Sequence, residues 1–177
     1  MGPSQMLLKL FMDRAGIPLD LGTFERRFSL QKKTYLAQLA GLDMRYRFSW
    51  YLRGPYCREL TSDAFLLIEQ INAGETDYKG FSLSPRAERR IQDAGKLWNR
   101  PDGVGCPDEV WLELLASLHY LKHIAYWPSA GPRTLNAVLG KLVRCKPHLS
   151  KFRRDAQAAW RHLDDLGLID SKTLQGR

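Results

Sequence analysis

Apolar positions along this chain recur mostly every three or four residues, the rhythm of a mainly helical protein. Leu7, Leu8, Phe11 and Met12 predict a helix over 4–15, ended by Gly16 and Pro18. Leu30, Tyr35, Leu36, Leu39 and Leu42 predict a second over 29–42, with Ser29 as N-cap and Gln31, Lys32, Lys33 and Gln38 mostly outside its apolar side. Ala64, Phe65, Ile68 and Ile71 mark a third over 61–74, with Gly74 at the position after the C-cap. Ser84-Pro85 opens a fourth that runs to Trp98, because a capping residue followed by proline suits the first helical turn. Val110, Trp111, Leu114, Leu115, Leu118 and Leu121 stripe a fifth over about 108–126. Leu135, Val138, Leu139, Leu142 and Val143 predict a helix over 134–145. Phe152, Ala156, Ala159, Trp160 and Leu163 predict a last one over 150–166, capped by Ser150 and stopped by Gly167. Leu168-Ile169 reads as a short extended tail packed on the core.

One stretch breaks the rhythm. From Tyr46 to Arg53 the pattern alternates, with Phe48, Trp50 and Leu52 on one side of a strand and Arg47, Ser49 and Arg53 on the other. Gly54 tolerates a backbone conformation that side chains forbid and Pro55 fixes the next φ, so Gly54-Pro55-Tyr56 reads as a corner. Aromatics at alternate strand positions ordinarily pack a sheet. The functional alternative is a partner-binding surface made of Arg47, Tyr51, Arg53 and Tyr56. The fold class expected is mainly α: a helical protein with a small β element and a C-terminal tri-helical, winged-helix-like lobe. The segment Asn99–Pro107 holds two Pro and two Gly, and it divides an N-terminal lobe, residues 1–100, from a C-terminal lobe, residues 107–177.

Composition narrows the setting. A hydrophobic fraction of 44% and five Trp suffice for a real core and argue against wholesale disorder. Three cysteines, Cys57, Cys106 and Cys145, form no CxxC pair, which argues against a disulfide framework and for a reducing compartment. The apolar start Met6-Leu7-Leu8 is broken by Lys9, so it reads as neither a membrane span nor a signal peptide. The expectation is a soluble cytoplasmic protein with no membrane partner.

Charge sharpens the picture once it is divided. The net +8 falls as +6 over residues 1–58, −4 over 59–130 and +6 over 131–177. Two basic ends suit a polyanion, nucleic acid first and DNA favoured, with plain solvated surface as the alternative. The last three helices have short connections, the skeleton of a helix-turn-helix or winged-helix domain. In that arrangement the third helix enters the major groove, and its outward residues are Lys151, Arg153, Arg154, Gln157 and Arg161. Positions 151, 154 and 161 share a stripe because three and seven residues approach whole turns. Arginine reads guanine, glutamine reads adenine and lysine grips phosphate. Arg133, Lys141, Arg144 and Lys146 would hold the backbone from the preceding helix and turn. A docking surface for an acidic protein is a further alternative. Only eleven residues follow Leu166, so a wing from that end would be stunted.

No catalytic set is complete. His119 and His123 stand four apart, but Tyr120 follows the first where a zinc protease has Glu, and no third ligand is defined. Cys57 and Cys145 have basic neighbours but no visible histidine partner. Asp108 and Glu109 are adjacent, so they diverge on a helix and favour its N-terminus by charge. There is no phosphate-cradling glycine loop. The expectation is no enzyme, no metal and no cofactor; a nuclease or defence component lacks its carboxylate set.

With the helices placed, Lys33, Tyr35-Leu36, Phe48, Trp50-Tyr51, Gly54-Pro55-Tyr56 and Leu60 resemble the YwgA-like family. More remotely, they are similar to the Panacea domain of bacterial antitoxins and adaptors. Trp111–Leu118 and the run from Lys146-Pro147 to Leu168-Ile169 extend the likeness over most of 29–169. The resemblance implies an α-rich, winged-helix-like fold and a regulator without catalytic residues. Panacea-type proteins act on partners, neutralising a toxin or delivering it to a protease. Cys57 after the Gly-Pro-Tyr corner and the basic C-terminal lobe depart from that pattern and lean towards nucleic acid. The leading expectation is a non-enzymatic nucleic-acid-binding regulator. The alternative is a protein-binding module of antitoxin or proteolytic-adaptor type.

Overall fold

The computed structural model of the chain describes residues 1–128 and 131–169. Seven α-helices dominate the described residues: α1 (Pro3–Arg14), α2 (Phe24–Leu39), α3 (Arg58–Asn72), α4 (Pro85–Trp98), α5 (Asp108–His123), α6 (Leu135–Cys145) and α7 (Arg153–Asp165). Strands β1 (Ser49–Tyr51) and β2 (Gly54–Tyr56) pair in a small antiparallel sheet. The mainly helical class with one small β element is the one expected from the sequence. Among the described residues, no helix is long and apolar enough to cross a membrane. The chain divides into two compact units, one of residues 1–49 with 56–96, the other of 50–55 with 97 onward.

In the first unit, α3 packs against α1 and α2. Thr23 caps α2 by accepting a bond from the Arg26 backbone N–H at 3.3 Å, so the helix starts five residues before the expected Ser29. The apolar period misses that first turn because Glu25, Arg26 and Arg27 fill it. Gln31 and Lys32, expected outside the apolar side, are buried. The Gln31 side chain accepts from the Cys57 N–H at 2.9 Å and donates to the Cys57 carbonyl at 2.8 Å. Two turns further, Gln38 does the same for the N–H and carbonyl of Tyr46, both at 2.9 Å. Two side-chain amides thus satisfy backbone groups that no strand pairs. The helix expected from Thr61 begins at Arg58, and its buried line is Leu60, Ala64 and Leu67; Phe65 points to solvent.

The expected strand over 46–53 shortens to β1. The corner expected at Gly54-Pro55-Tyr56 is instead β2, and the chain reverses at Leu52-Arg53. Gly54 takes φ of 87°, the left-handed value that lets a tight turn re-enter a strand. Leu52 therefore leaves the apolar side of the strand and is 76% exposed, because a turn does not keep the period of two.

In the second unit, α5 packs against α6 and α7. From Trp111 to Leu121 it is buried all round, Glu113, Ser117 and His119 included. Thr134 caps α6 through the Ala137 N–H. Pro147 starts a 3-10 turn, Pro147–Phe152, so α7 begins at Arg153 and not at Ser150. Lys151 consequently sits on that turn and not on α7, which corrects the expected stripe of 151, 154 and 161. Ile169 is buried; the residues after it lie outside the described ones.

Candidate nucleic-acid interface

The basic residues of the second unit fall into two groups that composition cannot separate. Arg144, Lys151, Arg153, Arg154 and Arg161 are exposed. Among the described residues none of these five forms an ion pair. Ala156, Ala159, Trp160 and Leu163 turn one face of α7 inward, and Arg154 and Arg161, seven residues apart, lie on the opposite face. Gln157 is half-buried between them. The acidic residue of the first turn, Asp155, is occupied: it accepts the backbone N–H groups of Gly105 and Cys106 at 3.0 and 3.2 Å. Asp155 keeps its negative charge, but the positive end of the α7 dipole and three neighbouring cations, Lys151, Arg153 and Arg154, outnumber it.

The second group is held by the protein. The Arg133 guanidinium donates to the Lys122 carbonyl at 2.7 Å, and the Lys122 ammonium donates back to the Arg133 carbonyl at 3.0 Å. The Lys141 ammonium donates to the Tyr126 carbonyl at 2.7 Å and lies 4.5 Å from the centroid of Trp127, which Arg133 also faces at 5.6 Å. These two cations tie the segment after α5 to α6.

Lys146 is a correction. It was expected to grip a phosphate, but it is 1% exposed. Its ammonium donates to Glu113 Oε1 at 3.1 Å and to the Leu52 carbonyl, and lies 5.0 Å from the Trp50 ring centroid. Burial pushes the Lys146 pKa down, and the Glu113 carboxylate opposes that shift.

Glu113 is the organising residue that the sequence reading missed. Its side chain is 1% exposed, with Arg53 Nη1 at 3.2 Å from Oε2, and Lys146 Nζ and His148 Nε2 each at 3.1 Å from Oε1. A signal was present: an acid standing between Trp111-Leu112 and Leu114-Leu115 on an apolar helix needs a buried partner. The identity of the partners was not legible, since Lys146 and Arg53 lie 33 and 60 residues away.

The four residues of the expected partner-binding surface do not share a unit. Arg47 and Tyr56 belong to the first, Tyr51 and Arg53 to the second. Arg47 and Tyr51 are exposed, and Tyr56 hydroxyl is 2.9 Å from Thr61 Oγ1. Arg53 is half-exposed and ends on Glu113.

Other reactive groups form no centre among the described residues. The rings of His119 and His123 stand 4.8 Å apart, and burial, then the charge of His123, pushes the His119 pKa down to about 4. No group of three metal-ligating side chains occurs among the described residues. Cys106 is buried, and burial followed by Asp155 pushes its thiol up to about 11, away from nucleophilic use. No family model, no curated protein and no solved structure matches the chain.

Proposed function

We propose that the chain is a nucleic-acid-binding regulator, DNA favoured, whose contact face is the 3-10 turn Pro147–Phe152 and the outer side of α7. The observation that carries this reading is the set of five exposed cations, Arg144, Lys151, Arg153, Arg154 and Arg161, on consecutive segments of one unit, none of which forms an ion pair among the described residues. A polyanion gains from such a face by releasing its condensed counterions. The resemblance to YwgA-like regulators is in line with the same reading. Of the nine residues first expected to touch nucleic acid, the reading keeps Arg144, Lys151, Arg153, Arg154 and Arg161, with Gln157 between them.

The test is duplex binding by fluorescence anisotropy at 50 and 200 mM salt. Neutralising about five phosphates gives a log–log salt slope near −4.5, roughly a 500-fold loss of affinity over that range. The triple change Lys151→Ala, Arg153→Ala, Arg154→Ala brings the slope to about −2. Unchanged affinity and slope in a folded triple variant would overturn the reading.

A second reading, a protein-binding module of antitoxin or adaptor type, is favoured by one observation: the hairpin tip exposes 57% of Tyr51 and 76% of Leu52. A partner held there is lost on Leu52→Glu and survives the triple change.

A further inference from the structure

A depression of about 240 Å³ opens in the second unit, lined by Trp50, Tyr120, Ile124, Tyr126, Lys141 and Cys145, among others. Resting on the nucleic-acid reading above, we propose that this depression takes one unpaired nucleobase, so that the protein's preferred ligand is a single-stranded segment and not an intact duplex.

The lining chooses this occupant. Trp50 and Tyr120 form an aromatic wall with ring centroids 5.6 Å apart. Lys146, anchored on the buried Glu113, lies 5.0 Å from the Trp50 ring and keeps the indole in place before any ligand arrives. Tyr126 is 84% exposed and Ile124 51%, so apolar surface faces solvent around the opening. The volume lies below the roughly 300–1,000 Å³ of a site for a drug-sized molecule and suits a single planar ring system. Every base offers a π-face, and stacking on aromatic side chains is how sequence-tolerant single-strand binders hold it. A paired base has that face covered by its neighbours, so a duplex cannot fill the depression without extruding a nucleotide.

Charge decides between a base and an aromatic side chain of a protein partner. Lys141 lines the depression, and Arg144, one turn on in α6, is exposed and makes no ion pair among the described residues. A nucleotide carries its phosphate at a fixed short distance from its base, so the base meets the aromatic wall while the phosphate meets Arg144, the cation that the fold leaves unused there.

Cys145 supplies the readout, since it is exposed while Cys57 and Cys106 are buried. The full chain is labelled with a fluorescent maleimide, free or saturated at low salt with a twelve-nucleotide thymidine strand or with a duplex of equal length. Cys145→Ser serves as the blank. The single strand is expected to slow labelling about ten-fold or more, and the duplex to leave it unchanged. Tyr126→Ala is expected to weaken single-strand binding about ten-fold while duplex affinity stays as it was. Binding of the single strand without protection of Cys145 overturns the proposal. So does a Tyr126→Ala variant that keeps its single-strand affinity or loses both affinities equally. In those cases the basic-face reading stands if the α7 triple variant still loses binding. If neither strand form binds at low salt, both readings fall.

Discussion

Lys146 and Lys151 stand five residues apart in one basic run, yet they do opposite things. Lys146 is enclosed with Glu113 and Trp50, and its charge is consumed inside the fold. Lys151 is exposed on the 3-10 turn before α7, with no carboxylate partner among the described residues. The same contrast runs through the whole unit: Arg133, Lys141 and Lys146 hold backbone carbonyls, while Arg144, Arg153, Arg154 and Arg161 face solvent. Formal charge is therefore a poor measure of the field a partner meets. What counts is the charge left over after the fold has used its share.

The contrast is broken most forcefully at Glu113. Glu113→Ala leaves the Lys146 ammonium buried without its carboxylate, and the expected loss is about 3–5 kcal/mol in urea unfolding. Adding Lys146→Met should recover most of it, because an apolar side chain of similar length removes the stranded charge. A loss below about 1 kcal/mol would mean that water reaches the pair and that the division into buried and free cations fails.

Next in size is the pH dependence from His119. Its folded pKa of about 4 lies below the ordinary 6.5. The unfolded chain accepts a proton near pH 6.5 while the folded one refuses it until about pH 4. Protons therefore favour unfolding across that window: the contribution is whole above pH 6.5 and is lost as pH falls towards 4. The total is on the order of 3 kcal/mol. Denaturation curves at pH 7.5, 5.5 and 4.5 should show it, and His119→Gln should flatten the profile. A profile identical in the variant would place the acid sensitivity elsewhere.

Smaller still is Arg53→Ala. The guanidinium is half-exposed, so removing it from Glu113 should cost at most about 1 kcal/mol while Lys146 and His148 remain. A loss comparable to that of Glu113→Ala would make Arg53 the principal partner. The least change in stability is expected from Lys151→Ala or Arg154→Ala, within about 0.5 kcal/mol by thermal unfolding. A large destabilisation by either would show that the α7 face is structural and remove it as a contact surface.

How much of this was legible beforehand varies by element. The α4 start was readable because Ser84-Pro85 is a local signal, and Ser84 Oγ does accept the Ala87 N–H at 3.2 Å. The helical stretch of α5 was readable from its apolar residues. The start of α2 was missed because its first turn is charged, although Thr23 was available as a cap. The hairpin was misread because alternation locates a strand but not the point where it reverses. Gln31 and Gln38 were assigned to the outside on polarity alone, whereas their work is to close backbone hydrogen bonds 26 and 8 residues away. Of the candidate contact face, the residue types were legible and their availability was not.

The sequence alone determined the helical class, the helix starts set by local caps, and the excess of positive charge at both ends, because each depends on residues within a turn or two of one another. Only the tertiary structure decided which cations remain free. Buried Glu113 holds Lys146, the carbonyls of Lys122 and Tyr126 hold Arg133 and Lys141, and each of these contacts depends on separate segments brought together. A carboxylate withdrawn from water must be met by whatever polar partners the fold places within about 3 Å, and here those are Arg53, Lys146 and the His148 ring. The cations that neither Glu113 nor a backbone carbonyl holds among the described residues are the ones left at the surface.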